Sequence, residues 1–222
     1  MKRTYHPQQI GPPEKQGMYD PQFEHDACGL GFIVNINGEK SHKILEQALT
    51  VIENLTHRGA RGTEKNTGDG AGIVIQLPHK FLKRKAERHN FTIPEPGQYG
   101  VGMVFLPPES NQRRAIEMHF EKIIASEGQR VLGWRTVKTN NSELGETAKR
   151  AEPKMRMIFI ARNPNIAEDM DFERKLFIIR RRAEKEIRNG GMFEGGKYFY
   201  IASLSYKTLV YKGTNFGSEP AP

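Results

Sequence analysis

Cys28 is the only cysteine in the 222-residue chain, and it stands in Glu24-His25-Asp26-Ala27-Cys28-Gly29-Leu30-Gly31-Phe32-Ile33-Val34, just ahead of a short apolar run. If the chain were cut between Ala27 and Cys28, that residue would carry a free α-amino group with a pKa of about 7.7–8.0 beside its own thiol. Such an amine titrates near working pH and can act as general base toward the nucleophile on its own residue. Uncut, Cys28 has the ordinary alternative of a small, buried, inert hydrophobe, because a lone cysteine brings no triad with it. A third arrangement pairs Cys28 with His57, in the manner of thiol hydrolases.

The second candidate is Arg58, in the loop His57-Arg58-Gly59-Ala60-Arg61-Gly62. A guanidinium fork makes two parallel hydrogen bonds to a carboxylate, which suits a free amino acid ligand. The plainer alternative is a surface arginine at a helix C-terminus, favoured there by the helix dipole. Asn66-Thr67-Gly68-Asp69-Gly70-Ala71-Gly72 imitates a phosphate loop, but no Lys-Ser/Thr follows, and Ile73-Val74-Ile75 predicts a strand where a P-loop needs a helix. The glycines there are better suited to letting the backbone pass close to another element. The seven histidines, His6, His25, His42, His57, His79, His89 and His119, form no i, i+4 pair on a predicted helix, and there is no second cysteine, so no metal site is expected.

These residues need elements to hold them. Met1–Ala27 is polar and rich in proline, glycine and glutamine, and predicts extended chain. Gly29–Ile36 reads as a buried strand, closed by a hairpin turn at Asn37-Gly38. Ser41 offers an N-cap to a helix with Leu45, Ala48, Leu49, Ile52 and Leu55 on one face, ending near Thr56. Phe81–Arg88 is a short basic helix. Gly100–Leu106 is a strand. Ser110 caps a helix that buries Ile116, Phe120, Ile123 and Ile124 and stops at Gly128. Val131–Thr139 and Met155–Ala161 are strands, with the polar stretch Asn140–Ala151 covering an edge between them. A long helix starting at Asp169 or Asp171 turns Phe172, Leu176, Ile179, Ala183 and Ile187 inward and stops at Gly190-Gly191. Tyr198–Ser205 and Thr208–Tyr211 are the last strands, joined at Tyr206-Lys207. Several strands run consecutively, so a simple alternating β-α-β sheet is excluded, and two sheets packed face to face with helices outside fit the pattern: an α+β fold.

Composition bounds the rest. Apolar residues make up 36% and charged residues 27%, which is globular rather than disordered. No apolar run approaches the length of a membrane span, and the N-terminus lacks a secretory apolar region, so the expected location is cytoplasmic, with no membrane partner. The formal charge of +8 is spread along the chain. Its densest run, Arg180-Arg181-Arg182, lies among Glu173, Glu184 and Glu186, a solvated helix face rather than a nucleic-acid stripe.

Four ordered motifs carry a resemblance. Glu24–Phe32 is similar to the maturation site of the glutamate synthase large-chain family. Leu55-Thr56-His57-Arg58-Gly59-Ala60, Thr67-Gly68-Asp69-Gly70-Ala71-Gly72-Ile73 and Val131-Leu132-Gly133-Trp134-Arg135 resemble three later signatures. The resemblance runs from about Tyr19 to Gly213. It implies a class II glutamine amidotransferase domain with the N-terminal-nucleophile αββα sandwich, here incomplete at its C-terminus. It implies a leader over 1–27, the N-terminal portion of the domain over 28–213 and a divergent tail over 214–222. Cys28 is then the nucleophile that hydrolyses glutamine, and Arg58 borders the glutamine pocket. The family's second substrate-binding arginine and its oxyanion-hole Asn-Gly pair fall downstream of the matched region, so little glutaminase activity is expected of the chain by itself. No cofactor is implied in the chain, while the complete enzyme uses FMN and an iron–sulfur cluster. The implied partners are the remainder of the large chain and a small electron-transfer subunit. The rival reading is a non-catalytic partial domain that acts through protein contacts.

Overall fold

The computed structural model describes residues 15–18, 20, 29–55, 70–142 and 144–213. In chain order the helices and strands are α1 (His42–Asn54), β1 (Ala71–Gln76), α2 (His79–Glu87), β2 (Tyr99–Leu106), α3 (Ser110–Ser126), β3 (Arg130–Thr136), α4 (Glu146–Ala151), β4 (Lys154–Ala161), α5 (Asp169–Ala183), β5 (Tyr200–Ser205) and β6 (Thr208–Gly213). They fall into two units, Gly72–Lys212 and the segments on either side of it.

In the larger unit, successive side chains of a strand point to opposite faces, and here both faces find apolar cover. β2, β3, β4 and β5 form one sheet in the order β3-β4-β2-β5, every neighbour antiparallel. Val104, Leu106, Ile158 and Ile160 meet Ile116, Phe120, Ile123 and Ile124 of α3 and Phe172, Leu176, Ile179 and Ala183 of α5. Tyr99, Val101, Met103, Met157 and Phe159 face the other way, toward Leu82 and Ala86 of α2 and Leu209 of β6. β1 and β6 pair as a second, two-stranded sheet. The mixture of helices and antiparallel sheets is α+β, as the consecutive strands predict.

Three local features make this packing possible. Across from β5, Met103 pairs with Ser203 but Val104 pairs with Ile201, so Ala202 is an extra residue. This bulge brings Ile201 and Leu204 onto the helix-covered face together. Gly100 on β2 leaves room for α5: a Cβ there would stand 2.6 Å from Leu176 Cδ1. At the end of β5, Ser205 Oγ accepts from the N–H of Lys207 at 3.0 Å and of Thr208 at 3.3 Å, fixing the Tyr206-Lys207 turn that moves the chain from one sheet to the other.

The long helix keeps its predicted inward face: Phe172, Leu176, Ile179, Ala183 and Ile187 are all fully buried. It continues beyond Ala183 as a π turn over Glu184–Arg188, then meets Gly191 at φ +66°. The arginine run is paired as its neighbours predict, with Arg180 and Arg181 on Glu184 and Arg182 on Glu186. α3 buries its four predicted residues and stops before Gly128 at φ +76°. Its cap differs from expectation: Glu109, not Ser110, precedes the first turn, and its carboxylate accepts from the N–H of Asn111 at 3.0 Å and of Gln112 at 2.6 Å. A carboxylate can take two of the free N–H groups and also complements the helix dipole. Within the stretch expected to be a polar edge cover, Glu146–Ala151 is the helix α4.

The smaller unit departs further. Gly29–Ile36 is not a strand, and Leu30 and Phe32 are 93% and 86% exposed. A strand needs a neighbour to satisfy its backbone, and among the described residues no segment pairs with this one. The Asn37-Gly38 turn does form, with Gly38 at φ +75° and its N–H on the Asn35 carbonyl at 3.0 Å, but it joins no two strands and is therefore not a hairpin. α1 starts after Ser41, whose side chain makes no capping bond, and it buries none of its residues.

Candidate active site

The chain leaving Cys28 runs along the second half of α1. A Cβ on Gly29 would stand 2.8 Å from Leu55 Cδ2, and one on Gly31 would overlap Val51 Cγ1. Glycine at both positions therefore lets the backbone lie against the helix. α1 ends at Asn54, and the N–H of Leu55 closes it on the carbonyls of Val51 and Ile52 at 3.1 Å. Residue 29 follows Cys28 directly, and residue 55 lies three positions before Arg58. The described flanks of both candidate residues thus lie close together, the Gly29 backbone beside the Leu55 side chain.

Cys28, Arg58 and His57 themselves lie outside the described residues, as do His6, His25 and most of the glycine-rich run. The end of that run is described. Gly72 lies in β1, where a Cβ would stand 3.0 Å from the Tyr211 carbonyl oxygen of β6. The strand and the close approach fit the reading of these glycines and remove the context a phosphate loop requires.

Three of the four remaining histidines have local side-chain partners. His42 lies 3.7 Å from Glu46 on α1. His79 Nδ1 is 3.0 Å from the Tyr99 hydroxyl, whose pKa burial pushes up to about 12. His119 Nε2 is 3.1 Å from Glu186 and its ring packs on Phe193. Among the described residues no three His, Cys, Asp or Glu side chains gather into a metal site, and no helix is long and apolar enough to cross a membrane.

One group in the larger unit escaped the sequence reading. Arg135 is buried on β3, inside a motif noted only for its resemblance. A charged residue between Trp134 and Val137 in a strand is the signal that could have marked it.

Comparison with known proteins completes the picture. Residues 28–219 match the family model of the class-II glutamine amidotransferases, a match that begins at Cys28. The chain is 43% identical over 201 residues to the glutamate synthase [NADPH] large chain of Bacillus subtilis, covering 90% of this chain and 13% of that protein. It is 39% identical over 211 residues to glutamate synthase [NADH] of Saccharomyces cerevisiae, covering 90% and 10%. With ferredoxin-dependent glutamate synthase 2 of Synechocystis it shares 36% identity over 190 residues, covering 86% and 12%. The chain spans about a tenth of the length of these curated relatives. With the four sequence motifs in order and the family match covering most of its length, the chain belongs to the class-II glutamine amidotransferases.

Proposed function

We propose that this domain hydrolyses glutamine with Cys28 as an N-terminal nucleophile. The observation that carries the reading is the contact of Gly29 with Leu55, which joins the flanks of the proposed nucleophile and the proposed carboxylate-binding arginine. The start of the family match at Cys28 supports removal of residues 1–27 as a leader. The freed α-amine takes the thiol proton as sulfur attacks the side-chain amide carbon. The carbon–nitrogen bond breaks, the proton passes to the leaving group, and ammonia departs. Water, deprotonated by the same amine, cleaves the thioester and releases glutamate. Arg58 holds the substrate α-carboxylate in its two-pronged fork. The αββα sandwich of N-terminal-nucleophile enzymes is the fold this mechanism belongs to.

In the complete glutamate synthase, the ammonia aminates 2-oxoglutarate, with FMN and an iron–sulfur cluster supplying the electrons. The cluster does not fit this chain, because clusters are held by several thiolates and the chain has one cysteine. Those groups belong to the remainder of the large chain, which is the domain's first partner; a small electron-transfer subunit is the second. The cytoplasm, where a single free cysteine stays reduced, is the proposed compartment.

The test is the N-terminus of the active large chain. Intact-mass measurement is expected to show a protein that begins at Cys28-Gly29, with glutamate released from glutamine in the same preparation. An active enzyme that retains residues 1–27 would exclude the α-amine as base and end this reading.

A further inference from the structure

In the larger unit, buried Arg162 and partly buried Arg156 each meet an acid. Arg162 reaches Asp169 at 2.6 Å, and Arg156 reaches Glu117 at 2.5 Å. Arg135 differs. It is 8% exposed, and its guanidinium lies 5.5 Å from the centre of the Phe81 ring, with Nη1 3.2 Å from the Met157 sulfur. The Tyr211 hydroxyl is its neighbour from β6. A phenyl face, a thioether and a phenol can orient a guanidinium but cannot neutralise it. Among the described residues no carboxylate pairs with it, and an unpaired buried charge is costly.

The surroundings add positive charge instead of removing it. Lys85, on α2, places its Nζ 5.2 Å from the centre of the same Phe81 ring. The Lys85 ammonium is held below its ordinary pKa first by partial burial, then by Arg135, Arg88, Lys138 and Arg84. Two cations therefore converge on one aromatic ring, and among the described residues no carboxylate forms an ion pair with either.

We propose that Arg135 and Lys85 form a binding site for a carboxylate group at the Phe81 ring. The planar fork of Arg135 suits the two oxygens of a carboxylate, Lys85 adds a point charge, and Phe81 and Tyr211 supply walls that favour an organic anion over a hydrated inorganic one. The carboxylate comes either from a small free acid or from an Asp or Glu side chain elsewhere in the large chain.

Succinate distinguishes the sources. The 222-residue chain and the full large chain are each titrated with disodium succinate, with sodium chloride at matched ionic strength as control. Heat of binding and melting temperature are the readouts. Saturable binding with a raised melting temperature in the short chain is expected, weakened by about tenfold in Lys85→Gln and Arg135→Gln, as fits loss of a charged hydrogen-bond partner. Binding in both chains identifies a free acid as the occupant. Binding in the short chain alone identifies a side chain of the large chain as the occupant. Absence of saturable binding in the short chain overturns the proposal. So does an equal response to chloride, or binding unchanged in Lys85→Gln, a variant that keeps the assay valid where Arg135→Gln fails to fold.

Discussion

Residues 29–55 and 72–212 carry equally clear apolar patterns and reach different ends. Every buried apolar side chain among the described residues lies between Leu82 and Leu209. α1, with Leu45, Ala48, Leu49 and Ile52 in helical register, buries none. α3 and α5 have the same kind of pattern and bury theirs completely, because a sheet face lies opposite. Periodicity thus fixes an element's type and its apolar side, while burial depends on a facing element. In sequence, the proposed nucleophile Cys28 directly precedes the less-covered stretch and Arg58 follows it by three positions.

The comparison can be broken by mutation. Cys28→Ser should have the largest effect, lowering glutamine hydrolysis by the large chain by roughly a thousandfold or more with thermal melting unchanged; residual turnover near that of the parent would place the nucleophile elsewhere. Phe120→Ala should come next. Phe120 is fully buried and meets Phe199 and Trp134 edge-on, with ring centres 5.6 and 6.2 Å away. Its truncation should cost about 3–5 kcal/mol in urea unfolding. Arg58→Ala should raise the KM for glutamine by about tenfold with little change in kcat, the signature of lost uniform binding; unaltered kinetics would return Arg58 to a surface role.

Glu127 should give a smaller, pH-dependent effect. Arg182 at 2.5 Å and Lys175 at 3.0 Å hold its carboxyl below the usual value of 4.5. Its folded pKa therefore lies below its unfolded one, so its contribution is fully present above the unfolded value and is lost as pH falls through the folded one. Glu127→Gln should cost about 1–2 kcal/mol at neutral pH, and the gap in urea midpoint between variant and parent should narrow as pH falls below the usual value of 4.5. Leu49→Ala in α1 should be the mildest change, within about 0.5 kcal/mol. A loss as large as that of Phe120→Ala would mean that α1 has a covered face and would erase the contrast between the two regions.

What the sequence could show follows the same division. The face of α5 was legible because five apolar residues at helical spacing cannot be arranged otherwise on one side of a helix. Gly29–Ile36 was misread because strand preference describes a residue's fit to a pleated surface, and that surface has to be supplied by another segment. The Glu109 cap was missed because serine, threonine, aspartate and asparagine dominate that position. The bulge at Ala202 leaves no mark in the sequence, since it is defined by the register of β5 on β2. Of the candidate site, residue type and motif single out Cys28 and Arg58, which lie outside the described residues, whereas the close approach of Gly29 to Leu55 beside them depends on tertiary packing.

The order of strands in the larger sheet has a consequence for how the chain folds. β2 is central, with β4 on one side and β5 on the other, yet it precedes both in sequence. β3 and β4 are also neighbours, with only α4 between them. The β3–β4 pair can therefore close early, whereas β2 has to wait for α3 and β3 to pass before its first partner arrives. Such non-local pairing slows folding. On the ribosome, β2 emerges with apolar side chains on both faces and both edges open until residues 154–161 follow, an interval in which a chaperone, or another nascent chain, has a strand to seize.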